Sequence, residues 1–214
     1  MKRLLTLSYL FPTLIFAGPP PTLMEMAGVH PAAARLSESV VLVIDAQREY
    51  VDGSLALAGM DRALAEGSRL LHRARAAGAP VIHVVHKGAG PLFNPAGPYF
   101  SIAEPMAPAA REPVIEKRLP NAFAGTELEQ RLAATGRKHL IVVGFMTHMC
   151  VSSTVRAALD LGYATTLVGD ATTTRDLPDS SGGTISAQAV QQASLAALAD
   201  RFAVVVKRAD EIPE

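Results

Sequence analysis

The sequence predicts an α/β fold: a single-domain, doubly wound (Rossmann-like) sheet of six parallel strands in the order 3-2-1-4-5-6, with helices on both faces. Short and strongly apolar runs recur along the chain, and segments with helical spacing of apolar residues separate them. Strands that alternate with helices are typical of this architecture. The 214 residues, 49% hydrophobic and 19% charged, suffice for one domain with a large core.

The charge balance excludes two classes of partner. Twenty Lys and Arg residues are matched by twenty Asp and Glu residues, so the composition shows no excess of basic charge that would indicate nucleic acid or an anionic membrane as a partner. We therefore expect a small-molecule substrate, no nucleic acid and no membrane partner. The single cysteine excludes an internal disulfide and suits a reducing compartment. We expect a cytoplasmic protein that forms a homo-oligomer, either a dimer or a tetramer.

Residues 1–38 are predicted to be an N-terminal arm and lead-in, ahead of one domain over residues 39–214. Two basic residues precede an apolar stretch at residues 4–17, which resembles a weak signal peptide. The stretch is too short, and too interrupted by Pro12, to predict a membrane span. Ile15 occupies a position where signal cleavage favours a small residue. Two interpretations stay open: export, and an arm packed on the body or on a partner subunit.

The first two strands each end at a polar side chain. Residues 40–44 (VVLVI) form the first predicted strand and deliver Asp45 at its carboxyl end, where parallel sheets bind ligands. The alternative is an aspartate that caps the next turn. The second strand, residues 80–86, carries two histidines that point to opposite faces. We predict that His83 packs in the core and that His86 reaches the site.

The middle of the chain contains a long segment without periodicity. Residues 88–110 are rich in proline and glycine and are predicted to form an irregular loop, either a lid or pocket wall or a solvated excursion. The third strand leads into Lys117. After it, Thr126 and Glu129 have the spacing of a capping box at the start of the helix predicted over residues 127–134. The other predicted elements are helices at residues 61–77, 127–134 and 186–200 and strands at residues 113–116, 140–143, 164–168 and 202–206.

Residues 140–163 place the only cysteine at a turn from strand to helix. Gly144 ends the fourth strand, and apolar residues recur with helical spacing from Val151. Cys150 then lies at a helix N-terminus, where unpaired N–H groups and the helix dipole are expected to lower the thiol pKa. A nucleophile is one interpretation, and a buried inert cysteine is the other. Strands one and four are neighbours in the predicted order, so Asp45 should lie beside Cys150.

Three motifs carry a family resemblance. With Asp45 after VVLVI, Lys117 in EKRLPNAF and Cys150 in GFMTHMCVSSTVRAALDLGY, residues 40–206 closely resemble the isochorismatase-like cysteine hydrolases, which include isochorismatases, nicotinamidases and N-carbamoylsarcosine amidases. The resemblance implies that these three residues form a catalytic triad. Strand three lies two places from strand one, roughly 10 Å away. Only a long side chain or a loop that folds back would bring Lys117 to the site, and the alternative is a surface cation.

The resemblance also implies an oxyanion hole. The bond between Phe145 and Met146 is expected to be cis, with the amides of Met146 and Cys150 converging on one point. No cofactor and no metal are expected, because residues 47–60 lack the histidine with which nicotinamidase-like members bind theirs. We expect substrate contacts from five residues: Gln47, Tyr50, His86, Phe123 and Thr147.

By resemblance, the function is metal-independent hydrolysis of a carbon–nitrogen, amide-like bond of a small molecule through a thioester. The first alternative is vinyl ether hydrolysis, although true isochorismatases generally lack the cysteine. The second alternative is a non-catalytic thiol sensor or a binding module on the same fold. The presence of Asp45 and Lys117 together with Cys150 favours the enzyme, because a sensor needs no general base.

Overall fold

A computed structural model of the protein describes residues 18–214, and its central feature is a six-stranded parallel sheet. The strands of the chain are β1 (Ser39–Ile44), β2 (Val81–His86), β3 (Val114–Lys117), β4 (His139–Phe145), β5 (Ala164–Thr173), β6 (Leu177–Pro178), β7 (Thr184–Ile185) and β8 (Val204–Val206). The sheet order is β3-β2-β1-β4-β5-β8, and all neighbouring strands are parallel. Within residues 18–214, β6 and β7 pair with each other and with no other strand, so β8 is the sixth strand of the sheet. The predicted order 3-2-1-4-5-6 is confirmed.

Helices α2 (Met60–Ala76), α3 (Leu128–Ala134), α4 (Ser152–Asp160) and α5 (Ala187–Arg201) cover the two faces of this sheet. The short helix α1 (Leu23–Met26) lies on α5. Alternate side chains of β1 and β4 face α2 in one apolar cluster and face α3, α4 and α5 in the other. Every residue of β1 is buried, as expected for a central strand covered on both sides.

Three local predictions were wrong in detail. Helix α3 begins at Leu128 without a capping box, because the Thr126 hydroxyl instead donates to Ala122 O and accepts from Leu128 N. Strand β5 extends to Thr173, five residues beyond the predicted end. The helix that was expected to start at Val151 is preceded by a π-helical turn over Thr147–Val151.

Close approach of two backbones fixes the centre of the sheet. Gly144 of β4 pairs with Ile44 of β1 and has a φ of 125°, which favours glycine. A Cβ at position 144 would lie 1.9 Å from Ile44 O. The glycine therefore lets β4 pass β1 at the point where both strands approach the site.

The irregular loop at residues 88–110 packs along the chain that follows β1. Arg48 N donates to Ser101 O, and Ala103 N donates to Ala46 O. Met106 is fully buried, so the loop is a packed wall of the protein and not a solvated excursion. His83 is buried and bonded to Glu112, which confirms its predicted core position.

The lead-in is held on the body by α1. Leu23 N donates to Asp200 Oδ1 on α5 at 2.8 Å. The signal-like segment at residues 4–17 lies outside the described residues. No helix within residues 18–214 is long and apolar enough to cross a membrane.

Candidate active site

A carboxylate, an ammonium and a thiol meet at the carboxyl edge of the sheet. Lys117 Nζ lies 2.7 Å from Asp45 Oδ2 and donates to Cys150 Sγ at 3.2 Å. Asp45 is 0% exposed, Lys117 1% and Cys150 5%. The structure therefore brings the three predicted triad residues together in one buried cluster.

The long side chain of Lys117 accounts for its arrival at the site. Its residue ends β3, which pairs with β2, and Lys117 lies opposite His86 in that pairing. The side chain extends past the end of β2, where Lys117 Nζ lies 3.2 Å from His86 Nδ1, and reaches the carboxylate that follows β1. The roughly 10 Å between strands one and three is thus spanned by a side chain without a folded-back loop.

Asp45 is held in an unusual environment for a carboxylate. Its φ of 50° is in the left-handed region, and its N–H donates to Val84 O at 2.8 Å. Neither carboxylate oxygen receives a well-directed hydrogen bond from any residue between 18 and 214. Burial raises the pKa of Asp45, and the nearby Lys117 ammonium and Cys150 thiol offset only part of that rise. A buried carboxylate without such donors is a better proton acceptor than an exposed one.

The pKa of Cys150 corrects the expectation of a lowered value. Burial and the negative charge of Asp45 raise the pKa of the thiol to about 12, although Lys117 acts in the opposite direction. Cys150 lies inside the π-helical turn, one residue before its end. The raised pKa favours the neutral thiol, from which attack on a substrate requires a base to take the proton.

The turn before Cys150 contains the predicted cis bond. The Phe145–Met146 peptide is cis. The carbonyl of Met146 accepts hydrogen bonds from Met149 N and Val151 N at 3.1 and 3.3 Å. The turn thus closes on itself directly above the sheet and carries Cys150 toward Lys117.

A small cavity opens over the thiol, with a volume of about 170 Å³. Aromatic edges shape it, because the ring of Phe93 lies 5.0 Å from that of Tyr50 and 5.3 Å from that of His86. The lining is mostly apolar, so a bound substrate would be largely removed from water. The lining residues are Tyr50, Leu55, His86, Phe93, Pro120, Met146, Met149 and Cys150.

Two of the five predicted substrate contacts, Tyr50 and His86, line this cavity. The other three have different neighbours. The Gln47 amide bonds the main chain of His86 and Phe100. Thr147 donates to Thr173 O, and Phe123 stacks on Tyr163 with ring centroids 6.1 Å apart.

Sequence reasoning missed four lining residues: Leu55, Phe93, Pro120 and Met149. Phe93 lies in the irregular loop, where no periodicity indicates which side chains point inward. Met149 could have been predicted as a lining residue, because it directly precedes Cys150 in the same turn. No group of three or more His, Cys, Asp or Glu side chains suited to a metal ion occurs within residues 18–214.

Fold and site together define an enzyme of the doubly wound α/β class whose candidate nucleophile is a cysteine. The model of the isochorismatase domain matches residues 39–210. The chain belongs to the isochorismatase family of hydrolases.

Solved and curated relatives agree with this assignment. The crystal structure of an isochorismatase from Pseudomonas putida superposes with a TM-score of 0.86 at 44% identity, covering 91% of this chain and all of that one (100%). A secreted isochorismatase effector of Verticillium dahliae is 37% identical over 87% of this chain and 96% of its own length. A streptothricin hydrolase of Streptomyces noursei is 37% identical over 79% of this chain and 62% of its own.

Proposed function

We propose that this protein is a metal-independent cysteine hydrolase that cleaves a carbon–nitrogen bond of a small amide through a thioester. One observation carries the proposal: Lys117 Nζ lies 2.7 Å from Asp45 Oδ2 and 3.2 Å from Cys150 Sγ inside the sheet edge. The similarity to a streptothricin hydrolase supports hydrolysis as the reaction class.

Acylation begins with the neutral thiol. As the Cys150 sulfur forms a bond to the substrate carbonyl carbon, the thiol proton passes to the Asp45 carboxylate. The carbonyl π electrons move onto oxygen and give a tetrahedral oxyanion. When that oxyanion collapses, the carbon–nitrogen bond breaks, and Asp45 returns the proton to the leaving nitrogen. The amine departs, and a thioester to Cys150 remains.

Deacylation uses the same groups in reverse. Asp45 takes a proton from a water molecule as the water oxygen attacks the thioester carbon, so that a carbon–oxygen bond forms and the carbon–sulfur bond breaks. The Cys150 thiolate regains a proton from Asp45, and the carboxylic acid product leaves. The Lys117 ammonium stabilises the Asp45 carboxylate before each proton transfer and the Cys150 thiolate that leaves the thioester, whereas the charge of each tetrahedral intermediate lies on the substrate oxygen.

We assign the oxyanion hole to the backbone amides of Met146 and Cys150. Both residues line the cavity. The amides at the start of a helical segment have no intrahelical acceptor, and fixed donors aimed at a developing oxyanion make a large electrostatic contribution to catalysis.

The site favours the amide hydrolase over both alternatives. A cysteine nucleophile is suited to an acyl carbon, whereas hydrolysis of a vinyl ether needs no thioester. A thiol sensor requires an accessible thiolate. Cys150 is buried and its pKa is raised to about 12, which disfavours the sensor.

The test is release of ammonia or amine from a panel of small amides and ureido compounds, before and after exhaustive chelation. We expect activity to survive chelation, and we expect mass spectrometry after an acid quench to show a substrate-derived adduct on Cys150. The variants Cys150→Ala and Cys150→Ser should show neither turnover nor adduct. Turnover by Cys150→Ala, or a loss of activity that only a metal restores, would refute the proposal.

Assembly and location are separate proposals. We propose a homo-oligomer, dimer or tetramer, which light scattering on the purified chain would test. We propose a cytoplasmic location on the basis of the lone cysteine, with export through residues 1–17 as the alternative. The name of the Verticillium dahliae relative describes a secreted protein. Fractionation of cells that express the full chain, with sequencing of the mature N-terminus, would distinguish the two locations.

A further inference from the structure

We propose that His86 is a positioning residue with two separate roles: its Nδ1 holds the Lys117 ammonium against the thiol, and its Nε2–H is a donor to the substrate. The inference rests on the proposed function, since it assigns both roles within the same site.

The first role follows from counting the protons of the ammonium. A lysine ammonium has three N–H donors and no acceptor. Within residues 18–214, three groups that can accept a proton lie around Lys117 Nζ: Asp45 Oδ2, in an ion pair at 2.7 Å, and the hydrogen-bonded Cys150 Sγ and His86 Nδ1, each at 3.2 Å. Lys117 is 1% exposed, so bulk water does not reach its ammonium while His86 is in place. Loss of the His86 acceptor leaves one buried N–H unpaired and frees the ammonium to turn away from the thiol.

The second role follows from the tautomer that the first one imposes. Because an ammonium can only donate, His86 Nδ1 must accept, and a neutral imidazole then carries its proton on Nε2. Burial and the charge of Lys117 lower the pKa of His86, so the ring is neutral near pH 7. Within residues 18–214, the one hydrogen bond of the His86 ring is that of Nδ1 with Lys117, and the ring lines the cavity. The Nε2–H is therefore left without a protein acceptor in this part of the chain and is available to a bound substrate.

The main chain of His86 is clamped in place. Gln47 accepts from His86 N at 2.8 Å and donates to His86 O at 3.1 Å, while the ring meets the edge of Phe93. A donor fixed in this way selects a substrate that carries an acceptor oxygen, from a carbonyl or a carboxylate, beside the scissile amide.

Two substitutions separate the roles. In His86→Asn, the side-chain oxygen occupies the place of Nδ1 and still accepts from Lys117, but the cavity donor is lost. In His86→Gln, the amide N–H occupies the place of Nε2, but the acceptor for Lys117 is lost. The titratable groups that face Cys150 from other elements are Asp45, Lys117 and Tyr50, and both variants leave them unchanged.

The first measurement is the rate of Cys150 alkylation by iodoacetamide as a function of pH, which needs no substrate. Lys117 opposes the rise of the thiol pKa, so its displacement in His86→Gln should slow alkylation at a fixed pH by about tenfold for each unit that the pKa rises. His86→Asn should stay within about twofold of wild type. The matched controls are His72→Gln and His72→Asn on the exposed side of α2, which should change nothing.

The second measurement is steady-state kinetics on a turned-over substrate. Loss of one hydrogen bond in His86→Asn should raise KM roughly 3- to 10-fold and leave kcat nearly unchanged, whereas His86→Gln should lower kcat. Identical alkylation profiles for the two variants would overturn the positioning role, and an unchanged KM in His86→Asn would overturn the donor role. Failure of the proposed hydrolase function would give a different result. The wild-type protein would then turn over no substrate, but His86→Asn and His86→Gln would still differ in their rates of alkylation.

Discussion

Lys117 Nζ and Asp45 Oδ2 lie 2.7 Å apart, although strand β2 separates the two strands that carry these residues. Both side chains are completely buried, so neither charge is solvated except through the other and through the groups around them. A buried ion pair of this kind adds little to the free energy of unfolding, because removing both charges from water is costly. Removing one partner is nevertheless strongly destabilising, because the other charge is left buried and unpaired. In this site the ion pair with Lys117 favours the charged form of the buried Asp45 carboxylate, which has few hydrogen bonds and lies beside the Cys150 thiol.

Replacing Asp45 should remove the base without removing the fold. In Asp45→Asn, the side chain keeps its shape but no longer takes the Cys150 proton, and turnover should fall by about 10² to 10⁴. Asp160→Asn, at the exposed end of α4, is the control and should leave turnover unchanged. Rates are compared at saturating substrate, with circular dichroism to verify folding. An Asp45→Asn enzyme with more than half the wild-type rate would rule out this role for Asp45.

The raised pKa values predict the shape of the pH profiles. The reaction needs the Asp45 carboxylate, so kcat/KM should rise as pH increases through its pKa, and the acid limb should lie above the ordinary 3.8. Because the thiol pKa is about 12, alkylation of the free enzyme should keep accelerating above pH 9. An alkylation plateau near pH 7 would show a stable thiolate and contradict this account of the site.

Glu112 should stabilise the fold in a pH-dependent way. Burial raises its pKa, but hydrogen bonds from Arg75, Ala109 N and His83 outweigh that effect and lower the pKa to about 2. The stabilisation is therefore fully present above its ordinary pKa of 4.5 and is lost as pH falls through about 2.

Glu112→Gln should lower the free energy of unfolding by about 1–3 kcal/mol at pH 7, because it leaves the buried His83 with a weaker partner. The difference from wild type in urea denaturation should shrink as pH falls below 4.5 toward 2. Glu116→Gln, in an exposed pair with Lys87, is the control and should cost less than about 1 kcal/mol. An equal and pH-independent loss in both variants would show that the Glu112 contacts carry no charge-dependent stability.

Gly144→Ala should strongly destabilise the sheet. Its Cβ would meet the backbone of Ile44 at 1.9 Å, a contact that only a shift of β1 or β4 can relieve, and we expect a loss of more than about 3 kcal/mol. Gly136 has a φ of 67° but open space around it, so Gly136→Ala should cost only about 1 kcal/mol. Thermal denaturation of both variants measures the difference, and similar melting temperatures would show that the close approach is not a constraint.

Patterns of apolar residues were sufficient to predict the sheet, because buried parallel strands are continuous apolar runs. The same criterion failed for the end of β5, where the last residues of the strand are small and polar. The predicted strand order placed Asp45 beside Cys150, and the family resemblance added Lys117; the structure brings the three side chains together. The thiol pKa was not predictable, since position at a helix start is visible in sequence but burial beside a carboxylate is not. The pocket walls were missed for a similar reason, because loop residues have no period that indicates an inward side.

The cavity over Cys150 is built from two kinds of segment. Asp45 and Cys150 follow the central strands β1 and β4, and Lys117 ends the edge strand β3, whereas Leu55, Phe93 and Pro120 project from connecting loops. Loops accept insertion and replacement more readily than the strands that carry them. Substrate selectivity can consequently change during evolution without a change in the reacting groups at the sheet edge. It can also be engineered by replacing the segments around residues 55, 93 and 120 with those of a relative.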